Sequence, residues 1–323
     1  GGSCPPELST HSCTENDKNR CVLELIVLGA AAGGGLPQWN CAGGQSHHVW
    51  QGQRSAQTQA SVAIGNSALG YVVINASPDL RQQIIQTPQL HPRSNHQNGV
   101  RNSPIKAVIV TNADVDNVAG LLNLREKQAF EIYGPTKVLE ILNENSIFAV
   151  LDPEFVQQFP LETQETITPL PGLDIELFTV AGKAPLYLED RLGIESGDLG
   201  FTSGIEIRTE AGKTLVISSC ATIDQLLLER IQTADHLLFD GTVFEDDEMP
   251  KLGLGNKTGR RMGHLPISGS DGPIAMLAEC PLQTKRFFHI NNSNPIWDPQ
   301  SDAYQRIQKA GWDICHDGMV LQI

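Results

Sequence analysis

Four groups of residues in this 323-residue chain have types and spacings that could do chemistry. The first is Asn112-x-Asp114-x-Asp116-Asn117, directly after an apolar β-branched run. Side chains two apart on an extended segment point the same way, so Asn112, Asp114 and Asp116 can converge. Hard oxygen donors of this kind suit a divalent cation or orient a water. The competing role for Asp116 or Asn117 is capping the following helix. The second is Asp240, which ends another apolar run before Gly241-Thr242 and reads as a sheet-edge acid or as an Asx turn. The third is His289, at the end of a strand before Asn291-Asn292-Ser293-Asn294. That is a better place for a ligand than mid-strand, with Asn291 and Asn292 next to a substrate. The fourth is His264, just after Arg260-Arg261. It offers an acid–base group beside two guanidiniums that could hold a carboxylate or phosphate, or else a solvated loop. Asp114 is expected to join His264 in proton transfer. The acidic run 245–248 reads as a solvated helix start.

These groups need a frame. Strands are expected over 22–28, 61–64, 71–75, 105–110, 130–133, 236–239, 287–290 and 320–323, with a hairpin formed by 205–208 and 214–218. Helices are expected over 118–128, 136–145, 223–232 (capped by Thr222 or Asp224) and 302–310, and Ser77-Pro78-Asp79 reads as a turn and cap. Many short strands with interspersed helices, rather than strict alternation, point to α/β architecture with two sheets sandwiched between helices. Gly33-Gly34-Gly35 lacks the G-x-G-x-x-G spacing and is followed by Pro37, so a dinucleotide loop is disfavoured.

Composition narrows the function. With 23 basic and 37 acidic residues the net charge is −14, which argues against nucleic-acid binding over a broad face. No apolar run approaches the ~20 residues that span a bilayer. Gly1 to Ser3 read as a tag remnant, residues 1–20 as a polar tail, and 21–323 as one domain. Seven cysteines spread along the chain do not form a disulfide framework, and no CxxC pair occurs. Cys4 and Cys13 in the tail could pair after export, Cys4 could carry a lipid, or both could be free thiols, which leaves the compartment open.

The order of these clusters carries more than each alone. Residues 27–41 (Val27-Leu28-Gly29 through Pro37-Gln38-Trp39-Asn40-Cys41), 75–81, 116–126, 240–249, 258–264, 289–295 and Asp317-Gly318-Met319 together resemble the family of B proteins of pyrroloquinoline quinone biosynthesis. That family is a branch of the metallo-β-lactamase superfamily. The resemblance implies an αββα sandwich of two mixed sheets flanked by helices, with a metal site between the sheet edges. It implies one divalent metal ion, with iron favoured and zinc or manganese as alternatives, on Asp116, Asp240 and His289. It also implies a tyrosine-derived small molecule or peptide as substrate for a metal-dependent hydroxylation, and cytoplasmic work, with a homodimer as a compatible assembly.

Two departures stand out. The superfamily motif H-x-H-x-D-H ends in His, but this chain has Asn117, a far poorer transition-metal ligand. Either the site is weaker, or it takes a harder metal, or His264 or water fills the gap. The C-x-C-x-x-C zinc loop of relatives is reduced to Cys41, so no structural zinc is expected there. A hydrolase of the same fold and a non-catalytic binding relative with a degraded site remain open beside the oxidoreductase.

Overall fold

Apolar runs with no polar alternation form when both faces of a strand are covered. In the computed structural model, which describes residues 22–181 and 203–323, Leu25 and Val27 of β1 (Glu24–Gly29) enter one core while Ile26 and Leu28 enter another. The same split runs through β2 (Ser61–Asn66), where Val62 and Ile64 part from Ala63, and β3 (Gly70–Ile74), where Val72 and Ile74 part from Val73.

The first sheet is built around these three strands. It adds the parallel β4 (Ile105–Ile109), β5 (Phe130–Gly134) and β6 (Val156–Pro160) on one side and the antiparallel β14 (Val320–Gln322) on the other. The second sheet runs β13 (Asp313–Ile314), β12 (Thr284–Phe288), β11 (His236–Asp240), β10 (Gly212–Ile217), β9 (Ser203–Thr209), β8 (Leu173–Thr179), β7 (Thr166–Leu170). It too is antiparallel at one end, β7 to β10, and parallel at the other, β10 to β13. Ile175, Leu177, Ile205, Ile207, Leu215 and Phe239 of this sheet share a core with Val62, Ile64, Val72 and Ile109 of the first. The outer face of the first sheet is covered by Leu80 of α2 (Leu80–Gln86) and Val138 and Leu142 of α4 (Thr136–Glu144). This is the αββα sandwich.

The remaining helices are short. They are α1 (Gly44–Trp50), α3 (Val115–Val118), α5 (Gln225–Gln232), α6 (Glu248–Lys251), α7 (Pro273–Met276) and α8 (Asp302–Lys309). Asp224 caps α5 through Leu227 N. Among the described residues no helix is long and apolar enough to cross a membrane. The tail, with Cys4 and Cys13, lies outside the described residues.

Three expectations need correction. The helix expected over 118–128 is one α-turn, α3, followed by 3-10 turns over Ala119–Leu124. Gly120 packs so close to the Ala76–Ser77 backbone that a Cβ there would lie 2.1 Å from the Ser77 carbonyl oxygen, and this contact decides the chain path. The strand expected over 287–290 stops at Phe288, because His289 takes a left-handed φ of 57°. Asp79 precedes α2 without capping it, since its carboxylate accepts instead from Gln59 N and Nε2.

The two sheets are joined at one edge. Ala32 N donates to Ile290 O at 2.8 Å and Ile290 N to Ala30 O at 3.0 Å, so the extension of β1 pairs with the extension of β12. Asp317, in the turn before β14, holds that extension by accepting from Ala30 N (2.9 Å), Thr58 N (2.7 Å) and Thr58 Oγ1 (2.7 Å). Removing it strands two backbone N–H groups. Asp317→Ala should therefore lower unfolding stability by about 2–4 kcal/mol. Urea titration at pH 8 with unchanged slope measures this, and a loss within experimental scatter would show that the clamp is dispensable.

Candidate metal and substrate site

The parallel strands β4, β11 and β12 end on the same side, where open α/β sheets place their ligands. Asp240 is the last residue of β11 and is fully buried. Its Oδ1 accepts from Thr242 N (3.0 Å) and Thr242 Oγ1 (2.6 Å), and its Oδ2 from Cys220 N (2.9 Å) and His264 Nδ1 (2.7 Å). Burial by itself would raise this carboxyl. The His264 and His289 rings and the hydrogen bonds from His264 and Thr242 outweigh it and hold Asp240 below the usual carboxylate range.

Thr242 is the hub of the group. Its hydroxyl lies 3.0 Å from His264 Nδ1 and 2.8 Å from His289 Nδ1 as well as against Asp240. A hydroxyl carries one proton, and the shortest contact directs it to Asp240. The Nδ1 of His289 then donates to Thr242 Oγ1, which leaves its Nε2 lone pair free. His289 is pushed down to about 4, first by burial and then by the His264 ring, so it is neutral at physiological pH. The two imidazoles stack 5.3 Å apart with 21° between their planes. One ligand atom from each of Asp240, His264 and His289 lies within 4.8 Å of the other two.

The left-handed backbone of His289 costs on the order of 1 kcal/mol or more. It is held from both sides: Gly241 N donates to Phe288 O, Ile290 N to Ala30 O, and Asn291 N to Thr242 O. The edge that joins the sheets is therefore also what aims this imidazole.

The trio borders a cavity of about 330 Å³, whose lining includes Asn112, Asp114, Asp116 and Asn117 from the loop after β4. Asn112 Oδ1 accepts from Asp114 N and from Asn117 Nδ2 (2.7 Å), and Asp114 caps α3 through Asp116 N. Asn75, itself at φ 62°, accepts from Thr111 N and Oγ1 and ties this loop to β3. Asp116 is raised to about 7, by burial first and then by Asp114 and Asp79; burial also raises Asp114. Gly33 faces Asp116 so closely that a Cβ would meet Oδ2 at 2.3 Å, so any larger residue there would displace this carboxyl.

Against the sequence expectations the outcome is mixed. Asp240 and His289 meet, but His264, expected as an acid–base group, stands between them as the third member. Asp116 lines the cavity outside that trio, and the Asn117 amide is spent on Asn112. Arg260 and Arg261 do not line the cavity. Arg260 forms a bidentate ion pair with Asp271 at 2.7 Å on the surface, and Arg261 is exposed. Asn291 lines the cavity, whereas Asn292 is buried and donates to Ser46 Oγ (3.2 Å). Glu248 is not a solvated helix start. It is buried, accepts from Phe244 N, Glu245 N and Ser293 Oγ, and is raised to about 7 by that burial. Sequence reasoning missed Thr242, Lys257 and the wall residues Met249 and Met262; only Thr242, directly behind a strand-end acid, carried a local signal.

A family model described as "Beta-lactamase superfamily domain" matches residues 71–290. "Coenzyme PQQ synthesis protein B" of Methylobacterium nodulans is 43% identical over 303 residues, 93% of this chain and 100% of that protein. The protein of the same name from Xanthomonas campestris is 42% identical over 306 residues, with the same coverage. The crystal structure of Zn(2+)-bound PqqB from Methylobacterium extorquens superposes with a TM-score of 0.88 at 42% identity, covering 93% of this chain and 100% of that one. A diphosphatase of the PhnP family, at TM-score 0.65 and 17% identity, shares the fold alone.

Two outcomes test this geometry. Thr242→Val removes the hydroxyl that joins the trio and should cost about 1–3 kcal/mol of stability. Thr242→Ser should retain most of it; equal stability of all three proteins would show that the hydroxyl organises nothing. In chelator-treated protein, Asp116 binds a proton in the folded state that the unfolded state has lost. Its contribution is thus present below the unfolded pKa and is lost as pH rises from about 4 through 7. Discounted for partial exposure, Asp116→Asn should gain about 1–2 kcal/mol on wild type at pH 8 relative to pH 4. Parallel stability–pH curves for the two proteins would contradict this.

Proposed function

The chain belongs to the coenzyme PQQ synthesis protein B family within the β-lactamase superfamily, and on that premise we propose that it is a metal-dependent oxidoreductase that hydroxylates a tyrosine-derived ring in quinone-cofactor synthesis. The observation that carries this reading is the convergence of Asp240, His264 and His289. The donors are two imidazoles and one carboxylate, the ligand types of non-haem iron(II) oxygenases, and equally serviceable for zinc. These residues fit a first-row transition ion, and the relative from Methylobacterium extorquens is a Zn(2+)-bound protein. When bound, such an ion supplies the oxygen and redox chemistry that no side chain here possesses.

The protein's own residues supply the rest. Asp240 holds the two imidazoles through its contact with His264 and through Thr242. Met249 and Met262 give the cavity polarizable walls for an aromatic ring. Asp116, titrating near neutrality, can accept a phenolic proton and return it, with Asp114 beside it. Gly33 leaves room for the Asp116 carboxyl to face the cavity.

The test is anaerobic loading with iron(II) or zinc, followed by oxygen uptake with a tyrosine-bearing peptide and ascorbate as reductant. The iron-loaded protein should consume oxygen only with the peptide present. His264→Ala and His289→Ala should each weaken metal retention roughly ten- to hundredfold or more. Peptide-independent uptake, or zinc-dependent cleavage of a phosphodiester in its place, would transfer the site to the hydrolase reading. Metal retained equally by both variants would remove the trio from it.

A further inference from the structure

Two aspartates and one lysine are among the residues that line the cavity. Among the described residues that line it, Asp114 and Asp116 stand on one side and Lys257 is the one Lys or Arg. Lys257 is half-buried, and no hydrogen bond or ion pair joins its amine to any described residue. The neighbouring cations are otherwise engaged or turned away: Lys251 pairs with Glu245 and Asp247, Arg260 pairs with Asp271, and Arg261 is exposed. An unpaired ammonium that borders a small-molecule cavity without a protein acceptor is poised for an acceptor on the ligand.

The backbone that carries this amine is also fixed. Its segment is anchored on one side by Leu254, which packs 3.4–3.5 Å from where Cβ atoms of Gly43 and Gly44 would sit. On the other side Gly259 N donates to Asp246 O and Arg260 N to Asp246 Oδ1. The same turn delivers His264, whose N–H donates to Gly259 O. The backbone that carries Lys257 is therefore continuous with the backbone that sets one imidazole of the trio, and Met249 and Met262 line the cavity with them.

We propose that Lys257 is the carboxylate anchor of this cavity, selecting anionic over neutral aromatic ligands and orienting their rings toward Asp240, His264 and His289. The selectivity follows from charge. Asp114 and Asp116 offer an anion nothing unless they are protonated, and amides and hydroxyls in the lining serve acid and ester alike, so the Lys257 ammonium is the lining side chain whose charge distinguishes a carboxylate from its ester. This inference deepens the functional reading above and rests on it for the identity of the cavity.

Binding to the full chain tests it, using hydroxyphenylpropionate and its neutral methyl ester as probes in titration calorimetry. Wild type should prefer the acid. Lys257→Met should weaken the acid roughly tenfold while leaving the ester unchanged, and Lys257→Arg should restore much of the preference. Acid binding untouched by Lys257→Met, or an equal loss of acid and ester, would overturn the proposal. The two readings fail separately. Lys257-dependent acid binding without any oxygen uptake sinks the oxidation and leaves the anchor standing. Peptide-dependent oxygen uptake with KM unchanged in Lys257→Met sinks the anchor and leaves the oxidation.

Discussion

A carboxylate sealed from solvent at the end of a central strand must have its charge compensated, and Asp240 accepts from four donors in three chain segments. An unpaired charge in that position would cost several kcal/mol. That requirement brings the end of β10, the Thr242 turn and the His264 loop to one point. Through the Thr242 hydroxyl it reaches His289, which comes from the far side of the β11–β12 pair. The site is thus less a set of ligands placed on a scaffold than the consequence of satisfying one buried acid.

The second support is the pairing of Ala30 and Ala32 with Ile290 across the two sheets. It allows His289 to leave the strand in a conformation that a bulky residue seldom adopts, and it sets Gly33 against Asp116. Strain at His289 and burial of Asp116 both reduce stability, and both lie at the cavity. The Asp317 clamp and the two cores behind it offset them. Stability and chemistry are separated in space: apolar packing lies between and behind the sheets, and titratable groups sit at one rim.

Legibility varied with the range of the interaction. Asp240 and His289 could be picked out because each follows a short apolar run, and strand ends collect polar groups. The cluster from Asn112 to Asn117 could be picked out for the same reason, although its members divide between turn chemistry and cavity lining. Asn117 marked a gap in the expected ligand set, and His264 lies with Asp240 and His289 within ligand distance of one another. The guanidiniums misled, because adjacency to His264 in the chain says nothing about side-chain direction. Arg260 found Asp271 on the surface, while Lys257, three residues earlier, borders the cavity.

By itself the sequence determined the two-sheet architecture. Strands that are apolar on both faces must be covered on both faces, and their register in the chain places acids and imidazoles at the rims. It also carried the family resemblance, since those motifs run in order along the whole domain. Only the tertiary structure decided which imidazole completes the trio, which asparagine is buried, and which cation borders the cavity. Those outcomes depend on contacts of residue 112 with 114 and 117, and among 240, 242, 264 and 289, set by loop closure and by the hydrogen-bond demand of one buried carboxylate. No local pattern of residues encodes that demand.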